Sequence, residues 1–142
     1  MIPVLAYHNV GFVNRGWILS HMICDFNIFR KQLLTFKKKG FVSITLNDLL
    51  DYKLGKKKLP KRAFIMTFDD GYLDLWLYVY PLLKEFGFKA TAFVNPEFVS
   101  ESKSTRKNYI LSSEKNNSPK EMMKLGFVNW KKLEIMDREN II

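Results

Sequence analysis

Ala63-Phe64-Ile65-Met66-Thr67-Phe68-Asp69-Asp70-Gly71 is the stretch from which the fold can be read. An almost wholly apolar run, Ala63 to Phe68, has the length and composition of a buried strand. It ends abruptly in two adjacent carboxylates and a glycine. Neighbouring carboxylates repel one another when both are ionised, so directly after a buried strand they are costly unless something uses them. The pair is a candidate for metal binding, for general base work, or for both. The plainer alternative is a turn in which Asp70 caps the helix that follows.

Working outward from the pair, strands and helices alternate. Upstream, Ile2 to Tyr7 reads as a first strand ending at His8, and Gly11 to Ile23 as an irregular, aromatic loop. Asp25 can cap a helix whose apolar positions Phe26, Phe29, Leu33 and Phe36 keep helical spacing. Lys37 to Lys39 fall in its last turn and Gly40 stands just beyond, the expected stop. Phe41 to Ile44 reads as a second strand. Thr45 and Asp48 form a capping-box start for a helix from Leu46 to Leu54, closed by Gly55. Pro60 marks the turn into the strand that precedes the carboxylates.

Downstream, Leu73 to Phe86 is apolar on a wide face and predicts a mostly buried helix. Pro81 should kink it or begin a second segment. Gly87 closes it, and Lys89 to Val94 reads as a fourth strand. Residues 95–125 are rich in Ser, Asn and Lys and predict a long polar excursion. Asn129 can cap a last helix, Trp130 to Arg138. The alternation predicts a parallel α/β arrangement, open or barrel-like, within one domain spanning residues 1–142.

Composition narrows the class. The 142 residues are 47% hydrophobic and 15% aromatic, enough to bury a core, which excludes a disordered tail. No apolar run is long enough to span a bilayer, and Met1 to His8 lacks the basic and long apolar regions of a secretory signal. The single Cys24 can form neither an internal disulfide nor a Cys-x-x-Cys metal site, and is expected to be a small buried residue. Lys and Arg (23) exceed Asp and Glu (14), giving +9. The excess lies in Lys37 to Lys39, Lys56 to Lys58, Lys61-Arg62 and Lys103 to Lys107. These runs sit at element ends and in loops, where solvated lysines are ordinary. No nucleic-acid partner is therefore expected, and an anionic cell-envelope polymer fits the charge better.

In a parallel α/β barrel the working face is the C-terminal rim of the strands. His8, Asp69, Asp70 and Asn95 all fall at or just past predicted strand ends, so a shared rim would gather them. Gly71 would let the backbone turn behind the carboxylates. A phosphatase-type nucleophile usually reads Asp-x-Asp, whereas these acids are adjacent. A two-carboxylate glycosidase stays open, because its partner acid can lie anywhere in the chain.

Thr67-Phe68-Asp69-Asp70-Gly71 resembles the first motif of the polysaccharide deacetylases, the NodB-homology family of carbohydrate esterases. Ile2-Pro3-Val4-Leu5-Ala6-Tyr7-His8-Asn9-Val10 is similar to the family's opening strand with its Tyr-His pair. Phe29 to Leu50, with Gln32-Leu33, Gly40-Phe41 and Ile44-Thr45-Leu46, resembles the helix-strand-helix that follows. Lys89 to Val94 resembles the strand after the motif, and Trp130 to Met136 the Trp-containing helix before the second motif. The similarity covers most of the chain apart from residues 11–24 and 95–125.

The resemblance implies the N-terminal part of a distorted (β/α) barrel of the glycoside hydrolase and deacetylase type. It implies hydrolysis of N-acetyl groups on an N-acetylglucosamine-type polymer, in a family usually extracellular or bound to the cell envelope. By the same resemblance Asp69 matches the general base and Asp70 a ligand to a divalent metal, usually zinc. His8, Tyr72 and Asn95 are expected beside the substrate. The family completes its metal site with a His-Ser/Thr-x-x-His motif, and this sequence holds only His8 and His21. One Asp cannot hold catalytic zinc, which takes three protein ligands. The expectation is a partial deacetylase domain with little or no activity as these 142 residues alone. The alternative is a non-catalytic remnant that binds carbohydrate or cell wall.

Overall fold

A computed structural model describes residues 1–12, 22–99 and 126–142 of the protein. His21 and the predicted excursion beyond Val99 lie outside the described residues. The elements run β1 (Val4–Tyr7), β2 (Asn9–Gly11), β3 (Ile23–Asp25), α1 (Phe26–Lys38), β4 (Val42–Ile44), α2 (Leu46–Lys53) and β5 (Ala63–Phe68). A π-helical segment (Leu75–Val79), α3 (Tyr80–Phe86), β6 (Thr91–Ala92) and α4 (Trp130–Arg138) follow.

β5 is the spine of a parallel sheet. It pairs with β1 along one edge, Val4 opposite Ile65 through Tyr7 opposite Phe68. On its other edge β4 takes the first half, Val42 opposite Ala63, and β6 the second, Thr67 opposite Thr91. All six residues of β5 are buried. Its side chains alternate between two clusters, as a strand's period of two requires. Phe64, Met66 and Phe68 join the larger core with Phe29 and Leu33 of α1 and Leu82, Leu83 and Phe86 of α3. Ala63 and Ile65 join a smaller one with Ile44, Leu46, Leu49 and Leu59.

The local signals explain the helices. The Asp25 carboxylate accepts from the amides of Asn27 and Ile28 at the start of α1. Thr45 and Asp48 close a full capping box on α2, and Lys57 pairs with the Asp48 carboxylate. Asn129 accepts from the Lys132 amide at the start of α4.

The structure refines three expectations. Gly11 and Ile23, the two ends of the stretch read as a loop, belong to β2 and β3, which pair as a second, two-stranded parallel sheet, while residues 13–21 lie outside the described residues. The helical stretch after Leu73 begins as a π-helical segment, and Pro81, in the first turn of α3, opens the second segment that its position predicts. Proline lacks an amide hydrogen and cannot continue an α-helical ladder, so the wider turn absorbs the break. The fourth strand is only two residues long, with the Phe93 amide extending the ladder by one bond to the Phe68 carbonyl.

Candidate active site

β1 and β5 run parallel in register, so their C-terminal ends bring His8 and Asp69 to one rim. The Asp69 amide donates to the Tyr7 carbonyl at 2.9 Å, which continues the ladder past Phe68. His8 Nε2 then lies 4.0 Å from Asp69 Oδ2, with the Asp69 side chain about one third exposed. The carboxylates thus stand at a solvated rim rather than in the core, which relieves much of the cost their adjacency implies.

The chain turns sharply here. Asp70 has φ 68° and Gly71 φ 73°, both in the left-handed region. An Asp tolerates that region better than most residues but still pays conformational strain for it. The helical run begins at Leu75, so Asp70 does not stand at its cap, and the plain capping alternative fails. At Gly71 an added Cβ would meet Val94 Cγ1 at 3.0 Å. The missing side chain is what lets the end of β6 close against the turn.

His8, Asp69, Asp70, Phe93, Val94 and Asn95 line one open depression of about 350 Å³. Four of these were singled out from sequence. Asn95 also starts a turn, its side-chain oxygen accepting from the Glu97 amide at 3.0 Å. Tyr72 is not among the lining residues. Its ring stacks on Phe127 at 5.1 Å, and its backbone bridges Phe127 antiparallel. Phe93 was missed, although its place at the end of a predicted strand is the signal that puts a residue on the rim. Its ring is half exposed, an apolar surface beside the acids.

Asp74 was missed as well, hidden inside a run read as apolar helix. Its carboxylate accepts from Asn9 Nδ2 at 3.1 Å and from the Val10 amide at 2.6 Å. Burial pushes its carboxyl up to about 6, against the opposing pull of those hydrogen bonds. The Cys24 thiol is also pushed up by burial, with Asp25 adding to the effect. That fits a partly buried packing residue rather than a reactive thiolate.

Among the described residues no three His, Cys, Asp or Glu side chains converge as a metal-binding set. His8, Asp69 and Asp70 alone therefore do not fit the divalent metal implied by the sequence motif. No helix among the described residues is long and apolar enough to cross a membrane.

Comparison with known proteins bears on the family and the fold. The family profile "Polysaccharide deacetylase" matches residues 56–127, which include β5, the carboxylate turn and β6. The poly-beta-1,6-N-acetyl-D-glucosamine N-deacetylase of Escherichia coli K12 is 31% identical over 86 residues, 61% of this chain and 12% of that protein. The enzyme of the same name from Staphylococcus aureus MSSA476 is 33% identical over 98 residues, 69% of this chain and 32% of that protein. Among solved structures, a de-N-acetylase from Aggregatibacter actinomycetemcomitans superposes with a TM-score of 0.76 at 21% identity. That alignment covers 99% of this chain and 52% of the other, so the fold is the partial, distorted (β/α) barrel expected. The chain spans about half the length of that structure and a third or less of the two curated relatives. It belongs to the polysaccharide deacetylase family.

Proposed function

We propose that this chain carries the base half of a centre that removes acetyl groups from an N-acetylglucosamine-type polymer. The observation that carries the reading is the single rim depression shared by His8, Asp69, Asp70 and Asn95. The relatives' own names, as deacetylases of poly-N-acetylglucosamine, supply the substrate class.

Asp69 acts as general base. It takes a proton from water as the oxygen attacks the acetamide carbonyl. The carbon–nitrogen bond then breaks, acetate departs, and the proton held by Asp69 is available to the amine left on the sugar. His8 Nε2 stands beside this base, 4.0 Å from Asp69 Oδ2. Asp70 would supply one ligand if a divalent metal, with zinc the first to test, were held here with ligands from elsewhere. The remaining ligands are not supplied by the described residues. Asn95 and Phe93 border the sugar, Phe93 through its exposed ring.

A polypeptide of these 142 residues alone is expected to turn over little or no substrate. Acetate release from chitin oligomers and from poly-N-acetylglucosamine, with and without added zinc, tests this. Robust turnover would refute the claim of low activity. Retained polymer binding that ignores both Asp69→Asn and Asp70→Asn would favour a non-catalytic, carbohydrate-binding role instead.

A further inference from the structure

His8 is the one residue between β1 and β2, and it is fastened on both sides by the same turn. On its N-terminal side, the Tyr7 carbonyl accepts from the Asp69 amide. The Tyr7 ring is held between Phe29 and Phe68, each 5.2 Å away. On its C-terminal side, Asn9 and Val10 are buried and both donate to Asp74. The two ends of the 69–74 segment therefore grip the residues on either side of His8.

We propose that Asp74 is a positioning residue: by tying Asn9 and Val10 to this turn, it holds the His8 imidazole against Asp69. The proposal rests on the reading of Asp69 as the base. It assigns Asp74 no contact with substrate.

The chemistry needs a carboxylate. Each of its oxygens accepts from a different N–H, one from the Asn9 side chain and one from the Val10 backbone. An asparagine offers only one acceptor oxygen, and its NH₂ would face one of the two donors. Asp74→Asn should therefore release one fastener while nearly preserving side-chain volume. The location agrees with this role: Asp74 opens the π-helical segment at the floor of a cavity of about 220 Å³ lined also by Asn9, Val10 and Gly11. Its charge meets backbone and amide donors there, and no Lys or Arg among the described residues lines that cavity.

The test is magnetic resonance of the full chain, with His21→Gln used to assign the second imidazole. In the parent, Asp69→Asn should shift the His8 ring carbon and nitrogen signals. In an Asp74→Asn background the same substitution should shift them less than half as far. Asn9→Ala, which removes only one of the two bonds, should give an intermediate reduction. A lower Tm for Asp74→Asn with the His8 response intact would overturn the proposal, leaving Asp74 a purely structural residue. Absence of any His8 response in the parent would overturn it as well. If Asp74→Asn does not fold, Asn9→Ala decides, and an unchanged response there refutes the role. No turnover is measured, so this result stands or falls separately from the low activity expected of these 142 residues.

Discussion

Gly71 and Val94 are packed so closely that a single added carbon on Gly71 would stand 3.0 Å from Val94 Cγ1. Gly71→Ala must also hold a φ of 73°. We expect it to cost about 2 kcal/mol or more in urea unfolding. Gly40→Ala isolates the strain, because Gly40 has φ 69° but nothing within 4 Å of an added Cβ; about 1 kcal/mol is expected there. Equal losses at the two positions would show that contact with Val94 contributes nothing.

Asp70 holds a left-handed backbone without glycine's freedom. Asp70→Gly should stabilise the fold by a few tenths to about 1 kcal/mol, and Asp70→Ala should destabilise it by a similar amount. Thermal unfolding of the two variants checks this. A fold that gains stability on losing the acid keeps that acid for its chemistry, whereas a loss in both variants would give Asp70 a structural role.

The Asp74 carboxyl is raised from 3.8 to about 6 by burial, so the folded state binds its proton more tightly than the unfolded state. Its contribution to stability is full below about pH 4 and is lost as pH rises towards 6. Unfolding free energies of the parent relative to Asp74→Asn should therefore fall across pH 4 to 6 and level off above it. A flat difference over that window would sink this assignment.

Phe93 and Phe64 make a contrasting pair. Phe64 is fully buried among the rings of Phe36, Phe41 and Phe88, and Phe64→Ala should cost about 3–5 kcal/mol. Phe93 is half exposed at the rim, and Phe93→Ala should change stability by less than about 0.5 kcal/mol. The same variant should weaken binding of chitin oligomers, measured by titration calorimetry. Unchanged binding would remove Phe93 from the sugar site.

Much of the architecture was legible because its signals are local. The Asp25 cap, the Thr45–Asp48 box and the apolar run of β5 each depend on residues within five positions of one another. The β2–β3 pair was not legible. Two three-residue strands carry no periodicity, and what joins them is pairing between Asn9 and Ile23, fourteen positions apart. The π-helical segment was concealed for a related reason: Pro81 announces a break, but which turn widens to absorb it depends on tertiary packing. Of the site, the strand-end rule found His8, Asp69, Asp70 and Asn95. Tyr72, set beside the substrate by the resemblance and not by that rule, stacks its ring on Phe127 from a distant part of the chain. The rule could not find Asp74, whose partners are set by the β2 pairing that the sequence conceals.

The central place of β5 has a consequence for motion. This strand is flanked on both edges and covered on both faces, and loosening β6 or α2 alone uncovers only part of one edge or one face, leaving β1, β4 and the larger core on it. Opening β5 requires the larger core to come apart with it, which makes it part of the last cooperative unit to be lost. Asp69 and Asp70 sit directly at its end. The acids are thus anchored to the most enclosed strand of the described fold, and the Phe93 amide ties the facing side of the rim to the same strand end.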